Sequence, residues 1–481
     1  MTIEHDVETE NEAGLSSRHW LALTVLAGAL ALDIGSMNVI NAALPGMQRQ
    51  FALDSSVLQW ILTAYAVTFA GFLLLGGRLA DVFGRRLVFG LGVALFTAAA
   101  LAGALAPNVE VLIAGRASQG LGAALSGPAA IALLSDVFPV GPARNRAFSM
   151  YAAIGAASGS GGFVLGGVLT DLFGWRAVFA FSVVLGLLVL LPLRAALPAT
   201  PRNPHPLDVP GAVLVTVGLL LAVLGVSRGG SAGWDDAGAA GSVACAVLLL
   251  VGFVVWERRT ADPLLPLSVL RPAPVRLATL SAFLLYTAAL GLQFFAPLYL
   301  QEMLDYSPFQ SGIAVMPFSL SVFLVANLFT GRLLSRFGQK IMLAGGLVLI
   351  GLGILAWAWT PLDGNYWLHM LPGLIVIGIG VGSVFPTMTA ASLTGVPAER
   401  HGVAGAVNVT AQQVGASVGV AALVVVAATT TVSADGQAGV LHGYHVAYVV
   451  AAVACVLGAV LVSLVPSWER GASADAESTA V

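Results

Sequence analysis

Apolar segments of about 20 residues, each long enough to cross a membrane, recur along the whole 481-residue chain. The composition agrees with this pattern, because 58% of the residues are hydrophobic and only 9% are charged. Soluble domains carry roughly a quarter charged residues, and a water-soluble globule could not cover its surface with this composition. The sequence therefore predicts an all-α membrane protein that crosses the bilayer many times.

The spacing of the apolar segments predicts fourteen transmembrane helices. The predicted spans cover residues 20–43, 57–79, 87–106, 109–134, 147–170, 177–198, 209–227, 238–256, 277–299, 310–334, 341–360, 367–390, 403–428 and 443–465. Proline-rich segments precede the seventh span and follow the eighth, which sets this pair apart as an insertion between two sets of six.

Five regions are therefore expected along the chain. They are an N-terminal tail (1–19), a six-helix bundle (20–198), linkers with an inserted helix pair (199–276), a second six-helix bundle (277–465) and a C-terminal tail (466–481). This organisation predicts two equivalent halves with a helical hairpin between them.

An internal repeat supports the two halves. The segment Gly77-Arg-Leu, followed by Phe83-Gly84, recurs as Gly331-Arg-Leu followed by Phe337-Gly338. Each copy ends an even-numbered predicted span and would face the same side of the membrane. Parallel repeats related by an axis along the membrane normal are typical of transporter halves.

The distribution of basic residues predicts the orientation of the helices. With the N-terminus in the cytoplasm, 17 of the 21 basic residues fall on the cytoplasmic side and three fall outside, at Arg49, Arg176 and Arg228. An even number of spans then places both termini in the cytoplasm. The acidic N-terminal tail lacks the basic region of a signal peptide. We therefore expect a multi-pass protein of the cell membrane, in a bacterium the inner membrane.

The sequence offers no support for an enzyme. The single lysine, Lys340, lies between Gln339 and Ile341 and so forms no phosphate-binding Gly-Lys-Ser/Thr loop. The seven histidines include no H-E-x-x-H zinc pattern, and the two cysteines lie in separate apolar runs. We therefore expect neither a catalytic residue nor a cofactor nor a metal site.

Several motifs resemble those of one transporter family. The loop from Gly77 to Arg86 resembles the loop signature of the major facilitator superfamily, and residues 112–124 resemble its fourth-helix signature. Residues 32–45 resemble the first-helix motif of the fourteen-helix drug:proton antiporter branch, and Gly174-Trp-Arg fits the same branch. The resemblance covers residues 18–465. It implies a major facilitator fold and a role for Arg116 in proton coupling.

Asp33 is the strongest candidate functional residue, because it alone among the 24 acids lies well inside a predicted span. An aspartate at the middle of a membrane costs about 2.5–3.5 kcal/mol on insertion scales and therefore normally faces a cavity or a partner. Burial disfavours the charged carboxylate, so the group can take up a proton. The alternative is a structural acid that is hydrogen-bonded between helices.

Arg116 is the only basic residue well inside a predicted span. Counting 1.5 Å per residue places Asp33 and Arg116 at a similar depth, about 10 Å below the outer surface. Two opposite charges at one depth on neighbouring helices are expected to interact. A structural ion pair between the first and fourth helices, or a site for an anionic substrate, are the alternatives for Arg116.

The first copy of the repeated loop carries Gly77, Asp81, Gly84, Arg85 and Arg86. Gly84 permits a tight turn that a side chain would crowd. An acid at the C-terminal end of a helix is disfavoured by the helix dipole, so we expect Asp81 to contact a basic residue or a helix N-terminus across the halves. Such contacts would latch one conformation. Topology alone would explain the arginines but not the acid.

The fifth predicted span is rich in glycine at four-residue spacing, which allows close packing of helices. The candidates are Gly155, Gly159, Gly162, Gly166 and Gly167. The antiporter signature has a proline where this chain has Phe163, so the sequence predicts the packing but not a proline bend.

Polar and aromatic residues of the spans are candidates for binding substrate in an otherwise apolar cavity. The set is Asn38, Asn41, Trp60, Tyr65, Tyr286, Gln293, Phe294, Phe295, Asn327, Asn408, Gln412 and Gln413. Each aromatic could instead pack in the core or contact lipid, and each amide could bond between helices. His442 and His445, near the start of the last span, are expected to be solvated rather than to sense pH.

Together these observations predict proton-coupled efflux of small hydrophobic drugs or antibiotics by alternating access. The expected partners are the small-molecule substrate, protons and the lipid bilayer, with no nucleic acid, and the protein is expected to act as a monomer. A proton-coupled metabolite importer of the same fold is one alternative. A membrane sensor without transport is another, and it predicts no defect when Asp33 becomes asparagine.

Overall fold

The computed structural model describes residues 16–138, 142–200, 208–233, 235–260, 263–397, 401–431 and 436–466. Regular secondary structure in these residues is entirely helical. Most of both predicted tails, and residues 201–207 and 261–262 of the predicted linkers, lie outside them. The helices of the first half are α1 (Ser17–Phe51), α2 (Trp60–Phe83), α3 (Arg85–Ala104), α4 (Val109–Val137), α5 (Pro142–Phe173) and α6 (Arg176–Ala196).

The helices of the rest of the chain follow the same up-and-down course. They are α7 (Val209–Ala232), α8 (Ala237–Glu257), α9 (Ala273–Glu302), α10 (Pro308–Leu324), α11 (Thr330–Leu355), α12 (Tyr366–Ala391), α13 (Val403–Thr430) and α14 (Gln437–Leu464). Polar side chains begin several of them: Asn108 accepts a hydrogen bond from the N–H of Val111 at 3.0 Å, and Ser307 forms a capping box with Gln310.

Among the described residues, eleven helical stretches are long and apolar enough to cross a membrane. The number is twelve when α2 is one span, since α2 bends by 52° between Leu73 and Leu75. In this count α10 and α11 form a single stretch of 52 residues, Pro308–Trp359. The structure thus shows a multi-pass helical membrane protein, and each helix lies close to a predicted span.

The two copies of the repeated loop adopt the same local structure. Gly84, between α2 and α3, has a φ of 98°. Gly338 has a φ of 79° and interrupts the helical backbone near the start of α11. Both values lie in the region that favours glycine, so each copy turns the chain at its glycine. The chain thus turns at Gly84, where the sequence predicts a turn, and the role of this loop in conformational change stays a prediction.

The halves touch each other mainly at one end of the bundle. We call the end at which α1 begins and α2 ends the basic face, because it carries Arg85 and Arg86, and the other end the opposite face. The contacts of α1 with α9 and α10 concentrate in its last part, Ile40–Phe51, at the opposite face. Two helix pairs, α2 with α13 and α5 with α10, also join the halves. The halves are therefore closed together at the opposite face.

Helices α7 and α8, which the sequence analysis sets apart as an inserted hairpin, pack beside the line along which α1–α6 and α9–α14 meet. Val215, Leu219 and Val223 of α7 form one buried cluster with Val67 of α2 and Ala421 of α13. The second inserted helix, α8, packs against α7 and leaves a row of aliphatic side chains exposed on its outer side. The first inserted helix therefore contacts both halves.

Candidate functional site

Asp33 lies near the middle of α1, yet its side chain is only half-buried. The hydroxyl group of Tyr65, from α2, donates a hydrogen bond to Oδ1 of Asp33. Tyr65 itself is fully buried. That Asp33 faces an internal space stays a prediction for an intramembrane acid.

Arg116 is 1% exposed and lies on the other side of Tyr65. Its Cζ atom is 4.5 Å from the centroid of the Tyr65 ring. Its Nε donates to the carbonyl oxygen of Ile61 at 2.9 Å, and its Nη1 donates to Oε1 of Gln119 at 2.9 Å. The guanidinium is thereby fixed between α2 and α4.

The structure brings Asp33 and Arg116 together, but not as a direct ion pair. The ion pairs among the described residues do not include one between them. Tyr65 separates the two charges, with its hydroxyl on the carboxylate and its ring face on the guanidinium. The alternative of a structural ion pair between the first and fourth helices is therefore wrong for this conformation, and the two charges interact through the phenol.

A small cavity with room for about one water molecule lies beside this group, between the halves. Its walls are mostly apolar and come from α1, α2, α4, α9 and α13. They are formed by Met37, Asn41, Leu62, Ala66, Arg116, Leu290, Ala416 and Val420. Arg116 and Asn41 supply its polar surface, and at this size the cavity holds no drug-sized molecule in this conformation.

An amide pair joins the halves next to the cavity. Nδ2 of Asn41, on α1, donates to Oε1 of Gln293, on α9, at 3.4 Å, and both residues are buried. The Oδ1 atom of Asn41 is buried without a partner among the described residues. Both amides were predicted to line the cavity, and the structure places them where the halves meet.

Among the described residues, Tyr65 supplies the phenol that bonds to the carboxyl group of Asp33. Tyr151, on α5, is buried and packs in the apolar core of α1–α6. The sequence did not single it out. Tyr286, on α9, was predicted as a substrate residue, and that role stays a prediction.

Other predicted substrate residues lie elsewhere. Trp60 packs against the buried cluster of the inserted hairpin. Phe294 is fully buried and packs edge-on against Phe295 in the core of the second half, with 5.1 Å between ring centroids. These aromatics are apolar enough to fill a core, which is the alternative that the sequence left open for them.

The amides of α13 bond to each other and to α9. Nε2 of Gln412 donates to Oδ1 of Asn408 at 2.8 Å, and Nδ2 of Asn408 donates to the carbonyl oxygen of Ala278 at 3.4 Å. Asn38 donates to the carbonyl oxygen of Ile34 in its own helix at 2.9 Å. These contacts are those of helix packing, and the role of Asn408 and Gln412 in substrate binding stays a prediction.

Asn327 and Gln413 complete the predicted set. Asn327 is exposed and donates to the carbonyl oxygen of Phe323, one turn earlier in the chain, at 2.8 Å. Gln413 is buried, and its Oε1 has no partner among the described residues. Gln119 was missed as a site residue, although its place one helical turn after Arg116 puts it on the same face of α4.

The loop at the basic face contains a charged cluster. Nη1 of Arg85 lies 2.6 Å from Oδ1 of Asp136, at the end of α4, and its Nη2 lies 3.3 Å from Oδ1 of Asp81. Arg86 donates to the carbonyl oxygen of Leu197 at 3.1 Å, after α6. Asp81 therefore pairs within the first half, and the predicted contact across the halves is not present in this conformation.

The second copy of the loop has an uncharged counterpart of this cluster. Gln339 takes the place of Arg85, and its Nε2 donates to Oγ1 of Thr394, after α12, at 3.0 Å. Ser335 takes the place of Asp81 and bonds to the carbonyl oxygen of Arg332 at 2.9 Å. The predicted asymmetry of the two loops is thus seen as an ionic contact in one half and a neutral one in the other.

Glycines of the first half allow close contacts between helices. A Cβ atom on Gly76 would collide with the carbonyl oxygen of Ala124, in α4. A Cβ atom on Gly77 would be 3.6 Å from Pro128, an ordinary contact. The close approach of α2 and α4 therefore depends on Gly76, which sequence reasoning missed, rather than on Gly77.

On α5, three of the predicted glycines face α1. A Cβ atom on Gly155 would lie 2.8 Å from a leucine side chain, and one on Gly162 would lie 2.9 Å from Cβ of Asn38. A Cβ atom on Gly166 would collide with the carbonyl oxygen of Val39. The structure has close contacts between α5 and α1 at these positions, and α5 continues through Phe163 as one helix.

The other two glycines of α5 differ from each other. A Cβ atom on Gly167 would lie 2.6 Å from the carbonyl oxygen of Pro308, so this glycine allows α5 to approach α10 of the other half. One on Gly159 would be 3.6 Å from Ile34 and would fit. Gly159 is therefore not required for close packing in this conformation.

The two histidines at the start of α14 have different surroundings. His442 is exposed, as expected of a solvated residue. His445 is half-buried, and its Nε2 lies 2.9 Å from the carbonyl oxygen of Thr360. His445 thus bonds to the end of α11 rather than to solvent alone.

Helices that surround a cavity between two joined halves define a fold known from transporters. A crystal structure of a peptide transporter POT in complex with sulfate is similar, with a TM-score of 0.66 and 17% identity over 92% of this chain and 94% of that one. An auto-inhibited POT family peptide transporter gives a TM-score of 0.68, with 17% identity over 92% of this chain and 96% of that one. At this identity the likeness shows the fold.

Residues 26–420 match the model of the Major Facilitator Superfamily, and this protein belongs to that family. The puromycin resistance protein pur8 of Streptomyces alboniger is 36% identical over 96% of this chain and 93% of its own length. The cephamycin export protein CmcT of Amycolatopsis lactamdurans is 34% identical over 96% of each chain. The lincomycin resistance protein of Streptomyces lincolnensis is 34% identical over 97% and 95%. These relatives confirm the resemblance to the drug-exporting branch.

Proposed function

We propose that this protein exports small, largely hydrophobic antibiotics or drugs from the cytoplasm in exchange for protons. Relatives named for antibiotic resistance or export match nearly its whole length. The arrangement of Asp33, Tyr65 and Arg116 beside a cavity between the halves is the observation that carries the proton-coupling part of the proposal.

Asp33 is the proposed proton carrier. Its carboxylate accepts one hydrogen bond from Tyr65 and is not fully buried. When Asp33 is ionised, its negative charge offsets the buried charge of Arg116 across one phenol ring. Protonation removes that offset, which makes the arrangement of α1, α2 and α4 sensitive to a single proton.

Alternating access is the proposed transport mechanism, with the two halves rocking about the cavity. The halves meet at the opposite face through Asn41 and Gln293, and Nε2 of Gln301 donates to the carbonyl oxygen of Ala42 at 3.2 Å. With the basic face in the cytoplasm, as the positive-inside rule predicts, this conformation is closed to the outside. A proton moving inward gains about 2.3 kcal/mol per 100 mV of inside-negative potential.

We also propose fourteen spans, arranged as two six-helix bundles and an inserted pair. The twelve candidates include one 52-residue stretch, which is about 78 Å long at 1.5 Å per residue and would cross a 30 Å hydrocarbon core twice. The turn at Gly338 divides it. The 32-residue α5 supplies the remaining span. Both termini then lie in the cytoplasm, and the monomer contains a complete site.

The proposed substrates are neutral molecules or monovalent cations. Asp33 is the acid that bonds to Tyr65 beside the buried charge of Arg116, and a single carboxylate is a better match for one positive charge than for two. The apolar side chains that line the neighbouring cavity together with Arg116 suit a hydrophobic ligand.

The test uses inside-out vesicles that contain the full-length protein and a preformed acid interior. Adding a substrate antibiotic such as puromycin should dissipate the pH gradient with wild type and with Asp171→Asn, which changes an exposed acid at the end of α5. Asp33→Asn should abolish this proton flux and the antibiotic resistance of a pump-deficient host. Equal resistance with Asp33→Asn would overturn the coupling proposal, and proton flux of the opposite sign would indicate an importer.

A further inference from the structure

Two buried carboxyl groups face each other at the basic-face end of the inserted hairpin, remote from Asp33. Asp208 caps the start of α7 and is 6% exposed, and Glu257 ends α8 and is 4% exposed. The transport site described above uses neither of them. A pair of acids buried to this extent requires partners, because burying an unpaired charge is strongly unfavourable.

One oxygen of each carboxyl group has conventional partners. Oδ1 of Asp208 accepts hydrogen bonds from the N–H of Gly211 at 2.9 Å and from Nε1 of Trp256 at 2.7 Å. Oε2 of Glu257 accepts one from the N–H of Leu265 at 2.9 Å. All three donors favour a carboxylate acceptor, and Asp208 has two of them together with a helix N-terminus.

The other oxygen of each group is buried without a partner among the described residues. These two atoms, Oδ2 of Asp208 and Oε1 of Glu257, point to the same place. A Cβ atom on Gly211 would lie 2.5 Å from the first and 2.9 Å from the second. Both oxygens therefore lie against the same position of the backbone.

We propose that Asp208 and Glu257 form a second proton-binding site, in which Glu257 holds a proton on Oε1 and donates it to Oδ2 of Asp208. One shared proton satisfies both orphan oxygens at once. Two carboxyl groups this close in a buried place cannot both be ionised without strong repulsion. Asp208 caps the N-terminus of α7, where a carboxylate is favoured by the helix dipole, so the proton resides on Glu257.

The surroundings favour a proton over a metal ion. The described groups that face the pair are the indole of Trp256 on α8 and backbone N–H groups of α7 and of the segment after α8, all of them donors. Arg258 and Arg259 are exposed and form no ion pair with either acid among the described residues. Among the described residues, no group of three metal-ligating side chains is found.

The site connects three parts of the chain. Asp208 begins α7, Glu257 ends α8, and Leu265 lies in the connection to α9 of the second half. The proton closes this set of hydrogen bonds. Its release would leave two buried negative charges facing each other and loosen the connection, so the attachment of the hairpin at the basic face depends on pH.

The experiment is infrared spectroscopy of the full-length protein in nanodiscs, titrated with pH, in an Asp33→Asn background. That background removes the transport carboxyl, so failure here and failure of the proposed function are distinguishable. We expect the carbonyl stretch of a protonated carboxylic acid at neutral pH, lost when Glu257→Gln is added. The double variant should also bind about one proton less per molecule at neutral pH.

Glu257→Gln keeps a donor toward Asp208 and should fold. Asp208→Asn is the second variant, because its amide donates to Glu257 without needing a proton, and it should remove the same band. Asp236→Asn is the matched control: Asp236 caps α8, accepting from the N–H of Ala239 at 2.8 Å, and should leave the band unchanged. A band that survives both Glu257→Gln and Asp208→Asn, or its absence from the Asp33→Asn protein, would overturn the proposal.

Discussion

The guanidinium group of Arg116 lies over the ring of Tyr65, with 4.5 Å between Cζ and the ring centroid. The hydroxyl group of the same ring bonds to Asp33. A cation on the ring face and an anion on the hydroxyl polarise the phenol in the same direction. The only acid and the only base deep within the described helices are thus coupled without touching.

Tyr65→Phe tests this coupling, because it keeps the ring under Arg116 and removes the hydrogen bond to Asp33. A hydrogen bond to a charged group is worth about 1.5–3 kcal/mol, so we expect export to fall by about tenfold or more. Measured drug efflux in whole cells provides the readout. Tyr299→Phe, which removes a buried hydroxyl that bonds to the carbonyl oxygen of Pro361 at 2.6 Å, should export normally. Normal export by Tyr65→Phe would contradict the role of the phenol.

Arg116→Lys tests the guanidinium geometry. Lysine keeps the charge but cannot donate in two fixed directions to Ile61 and Gln119, so we expect proton-coupled export to be largely lost. Arg176→Lys is the matched control, since Arg176 also lies over a ring, at 4.3 Å from that of Trp175, and also bonds a glutamine oxygen. Full export by Arg116→Lys would show that charge alone is sufficient.

Two glycines of α5 allow a paired test of packing. A methyl group on Gly166 collides with the backbone of α1, whereas one on Gly159 fits. Overpacking typically costs about 1–3 kcal/mol, so Gly166→Ala should lower the melting temperature by several degrees and Gly159→Ala should not. Thermal unfolding in detergent gives the comparison. Equal melting temperatures for the two variants would contradict the close contact with Val39.

Arg85→Gln introduces into the first loop the residue found at the equivalent place in the second. The pairs of Arg85 with Asp136 and Asp81 are partly exposed, and exposed ion pairs contribute about 0–1 kcal/mol. We expect a melting temperature close to wild type but a several-fold loss of export, because the loop acts on conformation. A loss of export that merely follows the amount of folded protein would argue against that role.

The helical architecture could be predicted from the sequence because hydrophobic length is nearly a complete specification of a transmembrane helix. The glycine turn was equally predictable, because the loop signature includes Gly84 and glycine readily adopts the positive φ that this turn has. The exact ends of helices were less predictable. Helix α1 continues to Phe51, eight residues beyond its predicted span, through a 3₁₀ turn at Ile40–Ala43 that hydropathy does not predict.

Residues of the candidate site could be predicted where they carry a charge inside an apolar helix. Residues whose type is common in such helices could not. Asp33 and Arg116 stand out because charges in apolar helices are rare. Tyr65 was named for its polarity, but its position between them depends on how α1, α2 and α4 pack. Tyr151 and Phe294 both pack in the core, and the sequence could not place them because the side of a helix that faces the core is set by tertiary structure.

The inserted hairpin meets both halves through a strip of valine, leucine and alanine side chains around Val67, Leu219 and Ala421. Smooth aliphatic surfaces of this kind have no directional bonds to break when one glides over the other. Rocking of the two halves would therefore let each half slide along α7 without breaking hydrogen bonds. Throughout the transport cycle, α7 would keep lipid tails out of the gap between the halves.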